Sequence, residues 1–181
     1  ALVHLGDEAQ RKRWLPKTVT GEKVGCWAYA EPGAGADVSS VRTRALRDGD
    51  DYVINGTKMY ITNSPFADFM VVVAMTNPEL GLKGLSVFIV DADTPGINVN
   101  KPLRKLGMGA SEMAEITFED CRVPAENRLG PEETGFIRAL KVLTLGRIAS
   151  AAFGVGLGRA AMQESQSYSQ CRIQFGGPLT A

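Results

Sequence analysis

One histidine and three cysteines are too few, and too scattered, for a built metal centre or a disulfide framework. Cys26, Cys121 and Cys171 lie far apart with no CxxC spacing, and an odd count suits a reducing compartment. Cys26 and Cys121 read as small buried hydrophobes. His4 has no Cys or carboxylate cluster around it and reads as an ordinary surface or helix residue. Neither sign of charge is in excess, with 20 basic and 20 acidic residues, which argues against a nucleic-acid binder. A small polyanion is still admitted, since it needs only a few cations. No uninterrupted apolar run approaches membrane-spanning length, so no membrane span is expected. Internal repeats and low-complexity tracts are absent too.

What is present is 181 residues, enough for one domain with a sizeable core, or for one domain and part of another. Residues 7–15 read as a short helix, with Asp7 as N-cap, Glu8 in the first turn and Pro16 closing the end. From residue 24 to about 128 the pattern becomes one of short apolar and β-branched runs. Strands are expected at 24–30, 41–46, 52–54, 57–61, 69–75, 85–90, 97–101 and 115–121, with hairpin turns at Asp48-Gly49 and Asn55-Gly56. No helix of useful length interrupts them, so an antiparallel sandwich or barrel-like domain is expected, not a parallel α/β sheet. From about Glu133 to Arg172 apolar residues recur at helical spacing. Some forty helical residues would span roughly 60 Å and need partner helices. The fold class is therefore multi-domain α+β, with a β-sandwich or barrel-like middle flanked by helical regions. The expected domains are 1–22, the end of a helical region; 23–130, the β domain; and 131–181, the first long helix of an incomplete bundle. The chain reads as a segment of a longer protein.

Glu31-Pro32-Gly33-Ala34-Gly35-Ala36-Asp37 follows an apolar strand. Two glycines among small side chains expose backbone N–H groups that can cradle a pyrophosphate or a polar ring edge. A strand-to-strand turn explains the same residues and, taken alone, explains them better. Tyr60-Ile61-Thr62 ends a strand with an aromatic face and then a hydroxyl, suited to stacking and to a hydrogen bond, or to ordinary core and turn roles. Arg172 at the end of the long helix could hold pyrophosphate or simply complement the helix dipole. Gly154-Val155-Gly156-Leu157-Gly158 lacks dinucleotide-loop spacing and lies within a predicted helix, where small residues serve packing.

The order of these motifs resembles the acyl-CoA dehydrogenase family over essentially the whole chain. Leu5-Gly6 through Gln10 to Leu15-Pro16 is similar to the family's G-x-x-x-Q-x-x-x-x-L-P helix. Ala30-Glu31-Pro32-Gly33-Ala34-Gly35-Ala36-Asp37 is similar to T/S-E-P-G-x-G-S-D, and Asn55 to Asn63 to N-G-x-K-x-W/F/Y-I-T-N. A third signature resembles Lys105-Leu106-Gly107 with Phe118, Val123-Pro124, Asn127 and Leu129-Gly130. A last one, Y-x-x-x-R-x-x-F-G-x-P, resembles Tyr168, Arg172, Phe175-Gly176 and Pro178.

The resemblance implies a helical domain, a β domain and a four-helix bundle, with FAD between the latter two. It implies that Trp27, Tyr29, Ala30, Gly35, Ala36, Tyr60, Ile61 and Thr62 line the flavin. It implies that Arg172, Gln174 and Phe175 reach the FAD of a neighbouring subunit in a dimer of dimers. Ala36 and Thr144-Leu145-Gly146-Arg147 would lie along the acyl-CoA channel. The implied reaction is α,β-dehydrogenation of an acyl-CoA, with electrons passed to an electron-transferring flavoprotein. The family places its carboxylate base either on the long helix, where Gly146 stands, or in the bundle beyond Ala181. No catalytic residue is therefore assigned here. Gly146-Arg147 resembles the short-chain branch. Ala30 and Ala36 stand where the family has hydroxyl residues, and each removes a hydrogen bond worth about 0.5–1.5 kcal/mol. Other readings are an oxidase or monooxygenase of the same fold, a non-catalytic subunit completing a partner's flavin site, and a cofactor-free binding module. The implied location is the cytoplasm in a prokaryote or the mitochondrial matrix in a eukaryote.

Overall fold

Asp7 opens the longer of two N-terminal helices in the computed structural model. The structure describes residues 1–180, in two units that part between Leu140 and Lys141. In the first unit α1 is the single turn Leu2–Leu5 and α2 spans Glu8–Val19. Gln10 N–H donates to the Asp7 carboxylate at 2.8 Å, and Asp7 N–H donates back to Gln10 Oε1 at 3.0 Å, a reciprocal capping box. Pro16 does not end α2 as the sequence suggests. Proline forfeits one donor, but Thr20 N–H still closes onto the Pro16 carbonyl, and Thr18 Oγ1 donates to the Trp14 carbonyl. Trp14 packs on Phe69, ring centres 5.0 Å apart, and Gln10 Nε2 donates to the carbonyls of Glu126 and Arg128. α2 is thereby tied to the sheet.

The sheet has seven strands: β1 (Gly25–Ala28), β2 (Arg44–Asp48), β3 (Asp51–Thr62), β4 (Phe69–Met75), β5 (Leu85–Asp91), β6 (Ile97–Val99) and β7 (Met113–Pro124). It is mixed and curls into a half-barrel. β2–β3, β3–β7, β6–β7 and β4–β5 are antiparallel, as alternation and the Gly49 turn (φ +63) suggest. β1 lies parallel to β4, and β2 meets the end of β4 in parallel through Arg44 and Met75. One edge of β4 is thus shared by β1 and the start of β2. Local patterning cannot encode such a pairing, because it joins strands remote in the chain.

Asn55-Gly56 is not a hairpin turn. β3 runs straight through it, with a register shift against β7 between Ile54 and Gly56. Asn55 and Asp120 exchange two hydrogen bonds across this bulge, at 3.1 and 2.9 Å. Gly56 has φ +146, and a Cβ there would lie 2.6 Å from Thr43 Cα. A second shift follows between Lys58 and Ile61, with Tyr60 at φ +61. Tyr52, Ile54, Ile116, Phe118, Met70 and Phe88 fill the concave side. Tyr52 stacks obliquely on Phe88 at 4.9 Å, and its hydroxyl accepts from Arg128 at 2.6 Å. Cys26 and Cys121 are buried in this core.

The long helix α3 spans Gly135–Cys171, 37 residues and about 55 Å. Its opening belongs to the first unit, where Gly135 and Ala139 are buried; a Cβ on Gly135 would strike the Leu85 carbonyl. From Lys141 onward its side chains are largely exposed, including Ile148, Phe153, Val155 and Met162. By length and composition α3 is apolar enough to cross a membrane. The expectation of no such segment rests on unbroken runs; Arg147 and Arg159 break the run but not the helix average. α3 is followed by the short hairpin β8 (Ile173–Gln174) and β9 (Gly177–Pro178).

Candidate cofactor site

Two strands separate β1 from β3 in the sheet order, yet the curl brings their ends together. Met59 N–H donates to the Ala30 carbonyl at 2.8 Å, just where β1 gives way to the glycine loop. The first half of β3 pairs with β2; past the Gly56 bulge, its second half faces the exit of β1. Tyr29, Ala30 and Tyr60 are therefore neighbours, although the sequence separates them by some thirty residues.

Trp27 is half-buried and stacks on buried Tyr29, ring centres 6.3 Å apart. Its indole Nε1 is buried without a hydrogen-bond partner among the described residues. The loop turns back on itself: Glu31 N–H donates to the Ala34 carbonyl and Ala34 N–H to the Glu31 carbonyl. Asp37 then caps a short turn, accepting from Ser39 N–H and the Ser40 hydroxyl. Gly35 and Ala36 are exposed. A Cβ on Gly33 or Gly35 would meet no atom of the chain within 4 Å, and neither residue has positive φ. Among the described residues nothing demands glycine at these two positions, whereas a ligand approaching the backbone would. The orphaned indole donor and this bare loop fit a flat, polar, phosphate-bearing group. Ala30 and Ala36 offer it backbone groups alone.

Tyr60 is 62% exposed and adopts a backbone conformation that bulky residues avoid. The turn at Tyr60 points its ring out of the sheet while Ile61 drops into the core, leaving Ile61 only backbone groups to offer. Thr62 is exposed at the end of β3, and Asn63 leaves it at φ +68.

Below this surface lies a pair that the motifs contain but whose role sequence reasoning missed. Lys58 Nζ is fully buried and donates to Glu31 Oε1 at 2.8 Å and to the Tyr29 carbonyl at 3.1 Å. Glu31 also accepts the backbone N–H groups of Arg42 (2.7 Å) and Thr43 (3.0 Å). The available signal was parity: Lys58 falls on the same alternating face of the strand as buried Tyr52 and Ile54. Burial pushes Lys58 down to about 8 against the pull of Glu31. Burial raises Glu31, but the Lys58 charge and the hydrogen bonds from its neighbours outweigh it and hold the carboxyl below its ordinary range.

Between pH 8 and 10.5 the unfolded chain keeps a lysine proton that the folded chain gives up, so stability rises with pH there. The Glu31 contribution has the same sign in a lower window, present above its ordinary value and lost as pH falls through the lowered one. Urea melts should show the wild type gaining on the uncharged pair Glu31→Gln/Lys58→Met from pH 8 to 10. A flat difference would exclude titration of a buried lysine.

In the second unit, Thr144, Leu145, Gly146 and Arg147 lie on an exposed stretch of α3, and a Cβ on Gly146 would meet nothing within 4 Å. Arg172 follows the last turn, its N–H donating to the Tyr168 carbonyl. Gln174 ends β8, and Phe175 (φ +50) with Gly176 (φ +83) forms the hairpin turn. Positive φ at both positions matches the twist of a two-residue hairpin. Phe175 is wholly exposed at its tip.

Residues 26–121 match the family model for the middle domain of acyl-CoA dehydrogenases, and residues 133–181 match the model for their C-terminal domain. An acyl-CoA dehydrogenase of Bacillus subtilis is 39% identical over 180 residues, covering 99% of this chain and 48% of that protein. The mitochondrial short-chain specific acyl-CoA dehydrogenase of Rattus norvegicus is 41% identical over 179 residues, 99% of this chain and 43% of that one. The crystal structure of an acyl-CoA dehydrogenase from Geobacillus kaustophilus superposes with a TM-score of 0.96 at 37% identity, over 99% of this chain and 48% of that chain. The chain thus spans about half the length of the relatives it matches, which are bacterial and mitochondrial. With two family models matching most of its length and the same half-barrel fold in its structural neighbours, the chain belongs to the flavin-dependent acyl-CoA dehydrogenase family.

Proposed function

We propose that the protein carrying this chain is an FAD-dependent dehydrogenase that introduces an α,β double bond into an acyl-CoA. The observation carrying this reading is the meeting of the glycine loop with the turn of β3, joined by Met59 N–H and the Ala30 carbonyl. There Trp27, Tyr29, Ala30, Gly35 and Ala36 would hold one edge of the cofactor, and Tyr60, Ile61 and Thr62 the other. When bound, FAD supplies a two-electron acceptor for the β-hydrogen of the substrate. Tyr60 offers it an aromatic face, and the Thr62 hydroxyl offers a donor. The buried sheet beneath the loop excludes water from one side of the site. Thr144, Leu145, Gly146 and Arg147 would border the acyl-CoA. Gly146 carries no acid or base, so it cannot take the α-proton, and no residue of this chain is assigned that role. Arg172, Gln174 and Phe175 would serve the FAD of a second subunit, which the full exposure of Phe175 at the hairpin tip supports. An electron-transferring flavoprotein is the proposed acceptor.

The test is the visible spectrum of the complete natural protein, before and after anaerobic addition of a short saturated acyl-CoA. Bleaching of a flavin band is expected. No flavin in folded protein would reject the assignment in favour of a non-catalytic subunit; bleaching reversed by O₂ without a carrier protein would favour an oxidase. Gly35→Leu should weaken FAD binding by at least about tenfold. Its stability should stay within about 0.5 kcal/mol of wild type, since Gly35 is exposed and an added Cβ meets no described atom within 4 Å.

A further inference from the structure

Glu31 and Lys58 sit where the sheet changes partners. β1 ends, β2 has not begun, and β3 must turn from one to the other past the Gly56 bulge. A gap of this kind leaves backbone groups without ladder partners. The Glu31 carboxylate takes two of them, the N–H groups of Arg42 and Thr43, and Lys58 Nζ takes a third, the Tyr29 carbonyl. One residue beyond Lys58, Met59 N–H holds Ala30; one further, the chain turns to positive φ at Tyr60.

We propose that the buried Lys58–Glu31 pair is the positioning element of the cofactor site, holding the exit of β1 and the turn of β3 in one arrangement so that Tyr29, Ala30 and Tyr60 form a preset flavin-binding surface. This rests on the flavin reading above and deepens it. Stability alone does not account for the pair. Burying two charges is costly, and an apolar pair of like volume often does as well or better. Its geometry specifies an arrangement: three of its four bonds reach main-chain groups on both sides of the gap, and Glu31 itself opens the loop. Preset donors and rings spare the cofactor the cost of ordering them on binding.

The test uses the complete natural protein, freed of cofactor, and compares wild type with Glu31→Gln/Lys58→Met. That double variant leaves no charge unpaired, but its single amide oxygen replaces two carboxylate oxygens, so it keeps one of the Arg42 and Thr43 N–H bonds and gives up the other. The variant is expected to fold with a lowered melting temperature, since one backbone N–H loses its partner and the Tyr29 carbonyl loses Lys58, with FAD binding weakened by about tenfold or more and a reduced visible circular dichroism of the bound flavin. Wild-type affinity and an unchanged dichroism spectrum in a folded double variant would overturn the proposal. A second measurement needs no variant. In the wild type, Arg42 and Thr43 amides should exchange with solvent as slowly as those of β2; exchange at loop rates would also overturn it. Failure of the wild type to bind FAD, with both amides protected, would instead remove the flavin reading and leave the pair as an ordering device alone.

Discussion

Lys58→Met is expected to lower the free energy of unfolding by about 3–5 kcal/mol. Methionine nearly matches the length of lysine, so little volume is lost, and the effect comes from what stays behind. Glu31 would keep a carboxylate whose side chain is 5% exposed, with two backbone donors and no counter-charge. Protonating that carboxyl limits the loss but then weakens its bonds to Arg42 and Thr43. Removing Lys12, whose partner Glu8 is as exposed as itself, should cost at most about 0.5 kcal/mol, because water and salt already screen that pair. Urea denaturation with an unchanged m-value is the measurement. A loss under about 1 kcal/mol for Lys58→Met would mean that water reaches Glu31 and the site is not dry.

Gly56→Ala should destabilise the protein by about 2–4 kcal/mol, the sum of a forbidden backbone conformation and a steric overlap. The added Cβ would lie 2.6 Å from the Cα of Thr43, a backbone atom that cannot swing aside, at φ +146 where side chains are strained. Relief requires β3 to draw away from the start of β2, which also strains the Thr43 N–H bond to Glu31. The variant should therefore lose FAD affinity together with stability. Gly35→Leu should separate the two. Wild-type stability in Gly56→Ala would show that the bulge repacks freely and that the Asn55–Asp120 exchange does not hold it.

Much of the fold was legible from local pattern. The Asp7 cap, the strands of the middle region and the long helix all appear close to where alternation, capping and helical spacing place them. The motif order pointed to the right family, and the structure brings Tyr29, Ala30 and Tyr60 of the implied set together. The errors have different causes. Asn55-Gly56 has the composition of a hairpin turn but is overruled by Asp120 and Thr43, distant in the chain, while Pro16 has that of a helix stop but is carried past by the local bonds of Thr18 and Thr20. Ile61 belongs to a motif whose neighbours face outward, but the turn at Tyr60 sends it into the core. The Gly146 stretch and the Phe175 hairpin lie in the second unit, where local structure is set but no cofactor contact is.

By itself the sequence determined which segments are strand or helix, where they are capped, and which residue types carry the site. Those properties depend on neighbours along the chain. Only the tertiary structure decided that β1 and β2 share one edge of β4, that Gly56 is a crossing point, and that Lys58 meets Glu31 across 27 residues. A lysine in an alternating strand is neutral information until the sheet curls. Once it does, the charge is shut away from water, and the Glu31 carboxylate and the Tyr29 carbonyl become the partners that hold it there.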